Sequence, residues 1–553
     1  MSLPLALLFL AAGPPLPAEA VFVNGKVWTG EPAKPEVSAI AVRNGRVALA
    51  GTDAEAKALV GPATKVVDLG GKRVIPGVYD SHVHWLGGGL QLSRVELKDA
   101  DNEGEFAQRL MGFAGGLPRD RWLLGGNWDH DKAFGGKLPT AAMLDKFVKG
   151  RPAFLQRYDG HMALVNTAAL KLAGITADTP NPPGGVIERL ADGKTPSGIL
   201  KDNAMALVEK LIPEPGDDEI AEAVRAAMRA AAEVGVTSVQ DMEGSSPVTR
   251  RKLLRVLQGL ARRGELTCRI DVRWPIAAQK ELEDLGIEAN FGTDFVRVGG
   301  VKGFMDGSLG SSTAKMSEPY VIDPTTSGVW VTEPPAMRKL VSQADAAGLS
   351  VAVHAIGDEA NARLLDVFAQ AIEANGPRDR RFRIEHAQHL HPDDFQRFRK
   401  LGVVASMQPY HAIDDARWAV GRIGAKRCAS SYAFRSLLDN SATLAFGSDW
   451  PVAPLDPFGG LDAAVNRRGL DGKTPNGWYP EQRLTVTEAV SAYTTGSAYA
   501  AFQDKERGTL TTGKFADLVA LTQDVFDPEV RDRLGKTQAA VTVFGGKVVF
   551  ERK

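Results

Sequence analysis

Cysteine is nearly missing from this chain: Cys268 and Cys428 are the only two among 553 residues. They cannot build a disulfide framework or a Cys-based zinc site. Excess charge is missing too, since 66 Lys+Arg against 67 Asp+Glu leave a net charge of -1. With no long basic run either, a nucleic-acid or polybasic membrane role is not expected. Beyond the first twenty residues no segment is long and apolar enough for a membrane span. There is no internal repeat and no low-complexity tract. What remains is the composition of an ordinary globular protein, too long for one compact core. Metal chemistry, if present, must rest on His, carboxylate and Lys.

The first twenty residues stand apart. Leu3 to Ala12 is apolar, Gly13-Pro14-Pro15 follows, and Ala18-Glu19-Ala20 offers a small-x-small cleavage site. This reads as a signal peptide over residues 1–20, so a periplasmic or extracellular protein is expected. The basic residue with which such peptides begin is absent, and an unprocessed cytoplasmic chain is the alternative. No Cys follows the site, so no lipid anchor is expected there.

From Val21 the pattern is β, with Asn24-Gly25 and Asn44-Gly45 reading as hairpin signals. The C-terminus repeats the style in Asp517 to Leu521 and Val541 to Val549. Either segment alone would leave an unburied face. The two together predict a composite β-sandwich from residues 21–73 plus 505–553.

Between them, residues 74–504 alternate helix and strand. Strands are expected from Val74 and at Val236–Gln240, Arg269–Arg273, Val296–Val301, Val351–His354, Phe382–His386, Val403–Ser406 and Thr443–Phe446. That is about the number a TIM-type barrel needs. The stretch of about 86–214 is too long for a connection and should be an insertion subdomain after the first barrel strand. The expected fold class is therefore α/β, a (β/α)8 barrel with a composite sandwich and an insertion.

Chemistry collects at the strand ends. His82 and His84 are two apart, so a strand points them the same way and they can share an ion. His354 and His386 end the fifth and sixth strands and would serve a second ion, with zinc first among the divalent metals that imidazole suits. Lys302 ends the fourth. An ammonium has no lone pair and two dications would repel it, whereas a carboxylated Lys302 becomes an anionic ligand able to bridge them. An ordinary Lys paired with Asp306 is the alternative. Asp449 follows the eighth strand and would bind metal and shuttle the proton of a metal-activated water. Only a closed ring brings the first, fourth, fifth, sixth and eighth strand ends together; an open sheet would spread them. Arg383 and the Arg380-Arg381 pair read as a solvated edge.

With these residues in view, the chain resembles the amidohydrolase superfamily, in its YtcJ-like, N-substituted formamide deformylase-like branch. The resemblance is carried by Pro76-Gly77-x-x-Asp80-Ser81-His82-x-His84, Lys302-x-x-x-Asp306-Gly307-Ser308, His354-Ala355-Ile356-Gly357-Asp358, Glu385-His386-Ala387-Gln388 and Gly447-Ser448-Asp449-Trp450-Pro451. It implies a binuclear centre of His82, His84, carboxylated Lys302, His354, His386 and Asp449, with Asp449 as catalytic base and acid. His161, in a motif of the insertion that resembles the branch's substrate-side element, Asp306, Trp128 and His411 are candidate substrate contacts, with packing of the insertion as the alternative for Trp128.

The expected reaction is hydrolysis of a carbon–nitrogen bond in a linear amide or an N-formyl or acyl amine. The partner is then a small molecule; a homodimer is compatible with the sequence, which does not fix the assembly. Two readings compete. A mononuclear deaminase would share His82, His84, His354 and Asp449, but leaves Lys302 without a role and expects a Glu shortly after the fifth-strand His. A metal-free scaffold would not need all six groups.

Overall fold

The computed structural model describes residues 16–97, 100–118, 120–148, 150–157, 162–182, 185–202, 204–243, 246–310 and 312–553. It divides into one unit of Met1–Trp85 with Met228–Lys553 and another of Leu86–Ala227.

The larger unit holds eight parallel strands in ring order: β1 (Val78–Val83), β2 (Val236–Asp241), β3 (Arg269–Pro275), β4 (Val296–Phe304), β5 (Val351–Ala355), β6 (Arg383–His386), β7 (Val404–Met407) and β8 (Thr443–Phe446). The ring closes just beyond β8, where Val83 and Trp450 form a parallel bridge. There the Asp449 N–H donates to the His82 carbonyl, and the His84 N–H to that of Trp450, both at 2.7 Å. Strands enclosed on both faces read as continuous apolar runs, and every residue of β1, β2 and β3 is buried. Helices return the chain between them. Pro247–Arg262 is typical: the Ser246 hydroxyl caps it by accepting from the Thr249 N–H, and Leu253, Val256, Leu257 and Leu260 form its buried stripe.

The strand expected from Val74 is not part of this ring. Arg73–Pro76 pairs with Leu518–Leu521 and Lys26–Trp28 in a six-stranded sheet, and the barrel begins at Val78. That sheet and a four-stranded one (Arg46–Gly51, Ala39–Arg43, Ala20–Val23, Lys65–Asp68) share one apolar cluster, including Phe22, Ile40, Val74, Leu518 and Val543. Both chain ends therefore supply the same core. Asn44 (φ 52°) and Gly45 (φ 68°) form the expected tight hairpin turn. Asn24-Gly25 does not: it joins Ala20–Val23 to Lys26–Trp28, which lie in different sheets, so it is a corner. Ala18 and Ala20 are buried, and the Glu19 N–H donates to the Val42 carbonyl at 2.8 Å.

The three arginines expected at a solvated edge are instead engaged. Arg380 pairs with buried Asp345, and Arg381 lies over the rings of Tyr499 and Phe502 while bonding Asp504. Arg383 is fully enclosed in the barrel.

The second unit carries a six-stranded mixed sheet flanked by helices such as Glu103–Gly116 and Ala141–Val148. Trp128 is part of its core, fully buried, with its indole N–H donated to the Leu155 carbonyl at 2.7 Å. That corrects its expected role as a substrate contact: a ring spent on packing has no free face. His161 lies outside the described residues. Among the described residues no helix is long and apolar enough to cross a membrane.

Candidate metal centre

The expected ligands meet at the C-terminal mouth of the barrel. His82 lies on β1 and His84 just after it; Lys302, His354 and His386 lie on β4, β5 and β6; Asp449 follows β8. His82 Nε2 is 3.4 Å and His84 Nε2 3.1 Å from Asp449 Oδ1. The His386 ring centre is 4.9 Å from that of His82 and 4.6 Å from that of His354. Donor atoms of His82, His84 and Asp449 lie within 4.8 Å of one another, as do those of His386, His411 and Asp449. Asp449 is common to both groups. His386 (φ 75°) and Asp449 (φ 62°) hold a left-handed backbone that L residues seldom adopt, a form of strain that gathers at functional sites.

Whether these residues suit a cation is tested by their orphaned atoms. His82 Nε2, Lys302 Nζ, His411 Nε2 and Asp449 Oδ1 are all buried and have no hydrogen-bond partner among the described residues. Each such atom costs about 1–3 kcal/mol when unpaired. The two imidazole nitrogens and the carboxylate oxygen are donors that a divalent ion satisfies, whereas the Lys302 amine, without a lone pair while protonated, would need carboxylation to join them.

Outer contacts aim the rings. His82 Nδ1 lies 2.7 Å from Glu385 Oε2, His386 Nδ1 2.8 Å from Gln408 Oε1 and His84 Nδ1 3.5 Å from Glu243 Oε2. A ring nitrogen facing an oxygen acceptor carries the proton, so His82 and His386 keep the Nε2 lone pair for the centre, and His84 offers its own once its second proton has left. His354 is reversed: its Nε2 lies 3.0 Å from the Gly307 carbonyl, which leaves the lone pair on Nδ1.

The local field keeps most of these rings neutral. Burial, then the nearby Lys302, brings His82 down to about 4 and His354 to about 3. Burial and the neighbouring His354 and His82 hold His386 well below its usual value. His84 differs, because Asp449 and Glu243 outweigh burial and hold it up at about 9. Burial opposes ionisation of Asp449, but the surrounding imidazoles keep it well below the carboxylate range. Burial lowers the Lys302 amine to about 8 despite the nearby Glu385 and Asp449.

Two aspartates fix the frame. Asp80 Oδ1 accepts from the N–H groups of His82 and Ser448, both at 3.0 Å, tying β1 to the loop after β8. Asp306 accepts from the N–H groups of Lys315, Ile356 and Gly357, and its side chain is fully enclosed. It is therefore a scaffold for the loops after β4 and β5, which corrects its expected role as a substrate contact. His411, on the helix Pro409–Asp415 after β7, faces Asp449 Oδ2 at 3.8 Å. A cavity of about 370 Å³ opens over the cluster, lined by His84, Lys302, His354, His386 and Asp449 together with apolar Phe304 and Leu309.

Glu385, Gln408 and Glu243 went unassigned in the sequence, although Glu385 stands beside His386 in the motif Glu385-His386-Ala387-Gln388. The signal for Glu385 was Arg383 two positions earlier: on a buried strand both point the same way and must pair. Their Nε and Oε1 atoms lie 2.8 Å apart.

A profile described as "Amidohydrolase family" matches residues 65–550. The chain belongs to the amidohydrolase family. This amidohydrolase is 39% identical over 540 residues to "Protein LONG AFTER FAR-RED 3" of Arabidopsis thaliana, covering 96% of this chain and 92% of the relative. It is 31% identical to "Putative amidohydrolase YtcJ" of Bacillus subtilis (strain 168), over 97% of this chain and all of the relative. "N-substituted formamide deformylase" of Arthrobacter pascens is 26% identical over 97% of this chain and 98% of its own length. Among solved structures, an uncharacterized metal-dependent hydrolase from Pyrococcus furiosus superposes with a TM-score of 0.75 at 31% identity, over 92% of this chain and 100% of that one. This amidohydrolase is thus a metal-dependent hydrolase acting on carbon–nitrogen bonds.

Proposed function

We propose that the chain hydrolyses a linear amide, an N-formyl or N-acyl amine, with a water activated by two divalent ions, zinc being the expected metal. The observation behind this is that Asp449 is shared by two groups of donor atoms, one with His82 and His84 and the other with His386 and His411, where buried polar atoms stand without partners among the described residues. His82, His84, Lys302, His354, His386 and Asp449 would hold the ions, with Lys302 carboxylated. Carbon dioxide adds to its neutral amine, a proton leaves, and the carbamate offers the anionic oxygen that an ammonium lacks. Bound there, the ions supply Lewis acidity and bring the pKa of a water towards neutrality. Asp449 carries the proton: its carboxylate accepts it as the water attacks the carbonyl carbon and returns it to the departing amine nitrogen. His411 contacts the substrate beside Asp449. The formamide deformylase relative supports the formamide arm of this reading.

The test is a panel of amides, formamides and esters offered to metal-loaded protein. Asp449→Asn should lower kcat by about 10²–10⁴-fold while most metal stays bound; full residual activity would refute the proton role. Absence of turnover on every amide and formamide would overturn the reading, and one ion per chain would favour the mononuclear deaminase. Activity lost in Lys302→Ala and partly restored by a small carboxylic acid is the outcome the carbamate requires.

We also propose export, but with the signal ending short of the expected residue 20: Ala18 and Ala20 are buried and Glu19 is bonded within the four-stranded sheet, so cleavage falls upstream of Ala18 and not at Ala18-Glu19-Ala20. Sequencing the mature N-terminus from the native host tests this; an unprocessed Met1 would contradict it.

A further inference from the structure

The cavity over the metal cluster has a second chemical feature, in the part of its lining formed by Gln388, Asp414, Asp415, Trp418 and Tyr432. The two carboxylates differ in what they already hold. Asp414 is paired with Arg417. Asp415 has no cationic partner among the described residues. Its Oδ2 accepts from the Gln388 side-chain amide and the Tyr432 hydroxyl, both at 2.6 Å. Among the described residues nothing donates to its Oδ1. Asp415 is only 8% exposed, so bulk water reaches it poorly.

The support behind it is stiff. Tyr432 is buried between Phe434 and Trp478, and the Arg467 guanidinium donates to its carbonyl at 3.1 Å. Asp415 therefore cannot swing away to find solvent. Burial, reinforced by the charge of Asp414, pushes its carboxyl up to about 7. A rigid carboxylate oxygen facing a cavity without a counter-charge is an arrangement that an incoming cation relieves. Beside it, Leu309, Ile356 and Trp418 give the cavity an apolar wall suited to a methylene chain.

Resting on the amide-hydrolysis reading above, we propose that Asp415 determines specificity by pairing with a protonated amine on the substrate away from the scissile bond. The preferred substrates are then amides that carry a second, cationic nitrogen.

The test compares N-formyl-1,6-diaminohexane with N-heptylformamide, which differ only in a terminal ammonium against a methyl group. Metal-loaded wild-type protein should show at least a tenfold higher kcat/KM for the cationic compound. Asp415→Asn keeps an oxygen for Gln388 and Tyr432 but turns a donor N–H towards the cavity, so the ratio should fall to about one or invert. A wild-type ratio below threefold, or a ratio kept in Asp415→Asn, overturns the proposal. The wild-type ratio decides the matter even if the variant does not fold. A second arm needs no turnover. Calorimetry on Asp449→Asn protein should find the cationic compound bound at least tenfold more tightly, a difference erased by adding Asp415→Asn; equal affinities overturn the inference. If wild-type protein cleaves neither compound, the hydrolysis reading is left to the wider amide panel, while this binding arm still decides the role of Asp415.

Discussion

Glu385 and His386 are neighbours on β6, yet their side chains do different work. His386 faces the metal centre, while Glu385 joins His82 on one side to Arg383 on the other. Burial alone would raise the Glu385 carboxyl; Arg383 and His82 hold it far below its ordinary value, so it stays an acceptor for the His82 ring proton. Glu385→Gln replaces one of those oxygens by a donor and frees the ring to turn. Metal affinity should fall about 10–100-fold, read by competition with a chelator of known strength; an unchanged affinity would show that the pair is only structural. His84 supports a prediction on protons. It is held up at about 9, whereas His82 sits at about 4 and His354 at about 3. At pH 7 an entering ion therefore displaces a proton from His84 but not from the other two. Affinity should strengthen as pH rises from 6 towards 9. Calorimetry in two buffers of different ionisation heat should find at least one proton released per chain at pH 7, with more where Lys302 becomes carboxylated as the metal enters. Glu243→Gln removes part of what holds that proton and should shrink the count. A count of zero in the wild type contradicts the assignment.

At the scale of strands and helices, much of the barrel was legible because its signals are local. Apolar runs such as Val351–Ala355, the left-handed Gly402 that ends the helix Phe395–Leu401, and ligands at strand ends can all be read without knowing what packs on what. Arg383 could not be read that way. Its charge suggested solvent, but it is enclosed because distant segments each bring it an oxygen: Glu385 beside it, Gln240 from β2, Ser81 from β1 and Ser406 from β7. Trp128 and Asp306 were misread for the same reason, since what decides their roles is the Leu155 carbonyl and three backbone N–H groups that folding delivers. The buried pair carries its own test. Arg383→Met leaves Glu385 as a less compensated buried charge and should cost about 3–5 kcal/mol in denaturant unfolding. Adding Glu385→Leu should recover most of that loss, because an apolar pair of similar volume replaces an ion pair at little net cost. A double variant as unstable as the single one would show that shape, not charge, is what Arg383 provides.

For the larger unit as a whole, the question is whether sandwich and barrel are one cooperative body or two neighbours. Asp517, just before the strand Leu518–Leu521, binds the barrel twice. Its carboxylate takes Arg269 at the start of β3 through two contacts, 2.7 and 3.1 Å, and its carbonyl accepts the Gly77 N–H beside β1 at 2.8 Å. Arg269 also rests on the rings of Phe515 and Phe544, 3.6 and 4.6 Å from their centres, and the Gly545 N–H donates to Asp517 Oδ1 at 2.7 Å. Gly235, entering β2 at φ +81°, comes so close to Val519 that an added Cβ would lie 2.8 Å from its side chain. Three barrel strands thus touch one short stretch of sandwich, and that sandwich needs both chain ends to close its core. Neither part can open without breaking a buried ion pair and exposing shared apolar surface. Asp517→Ala should therefore cost about 3–5 kcal/mol, since it leaves Arg269 buried without its partner. Hydrogen exchange tells the two pictures apart. If the unit is one body, peptides from Leu518–Leu521 and from β3 lose protection together in the variant. Faster exchange confined to the sandwich peptides would mean that the barrel stands without it, and that Asp517 only moors a separate module.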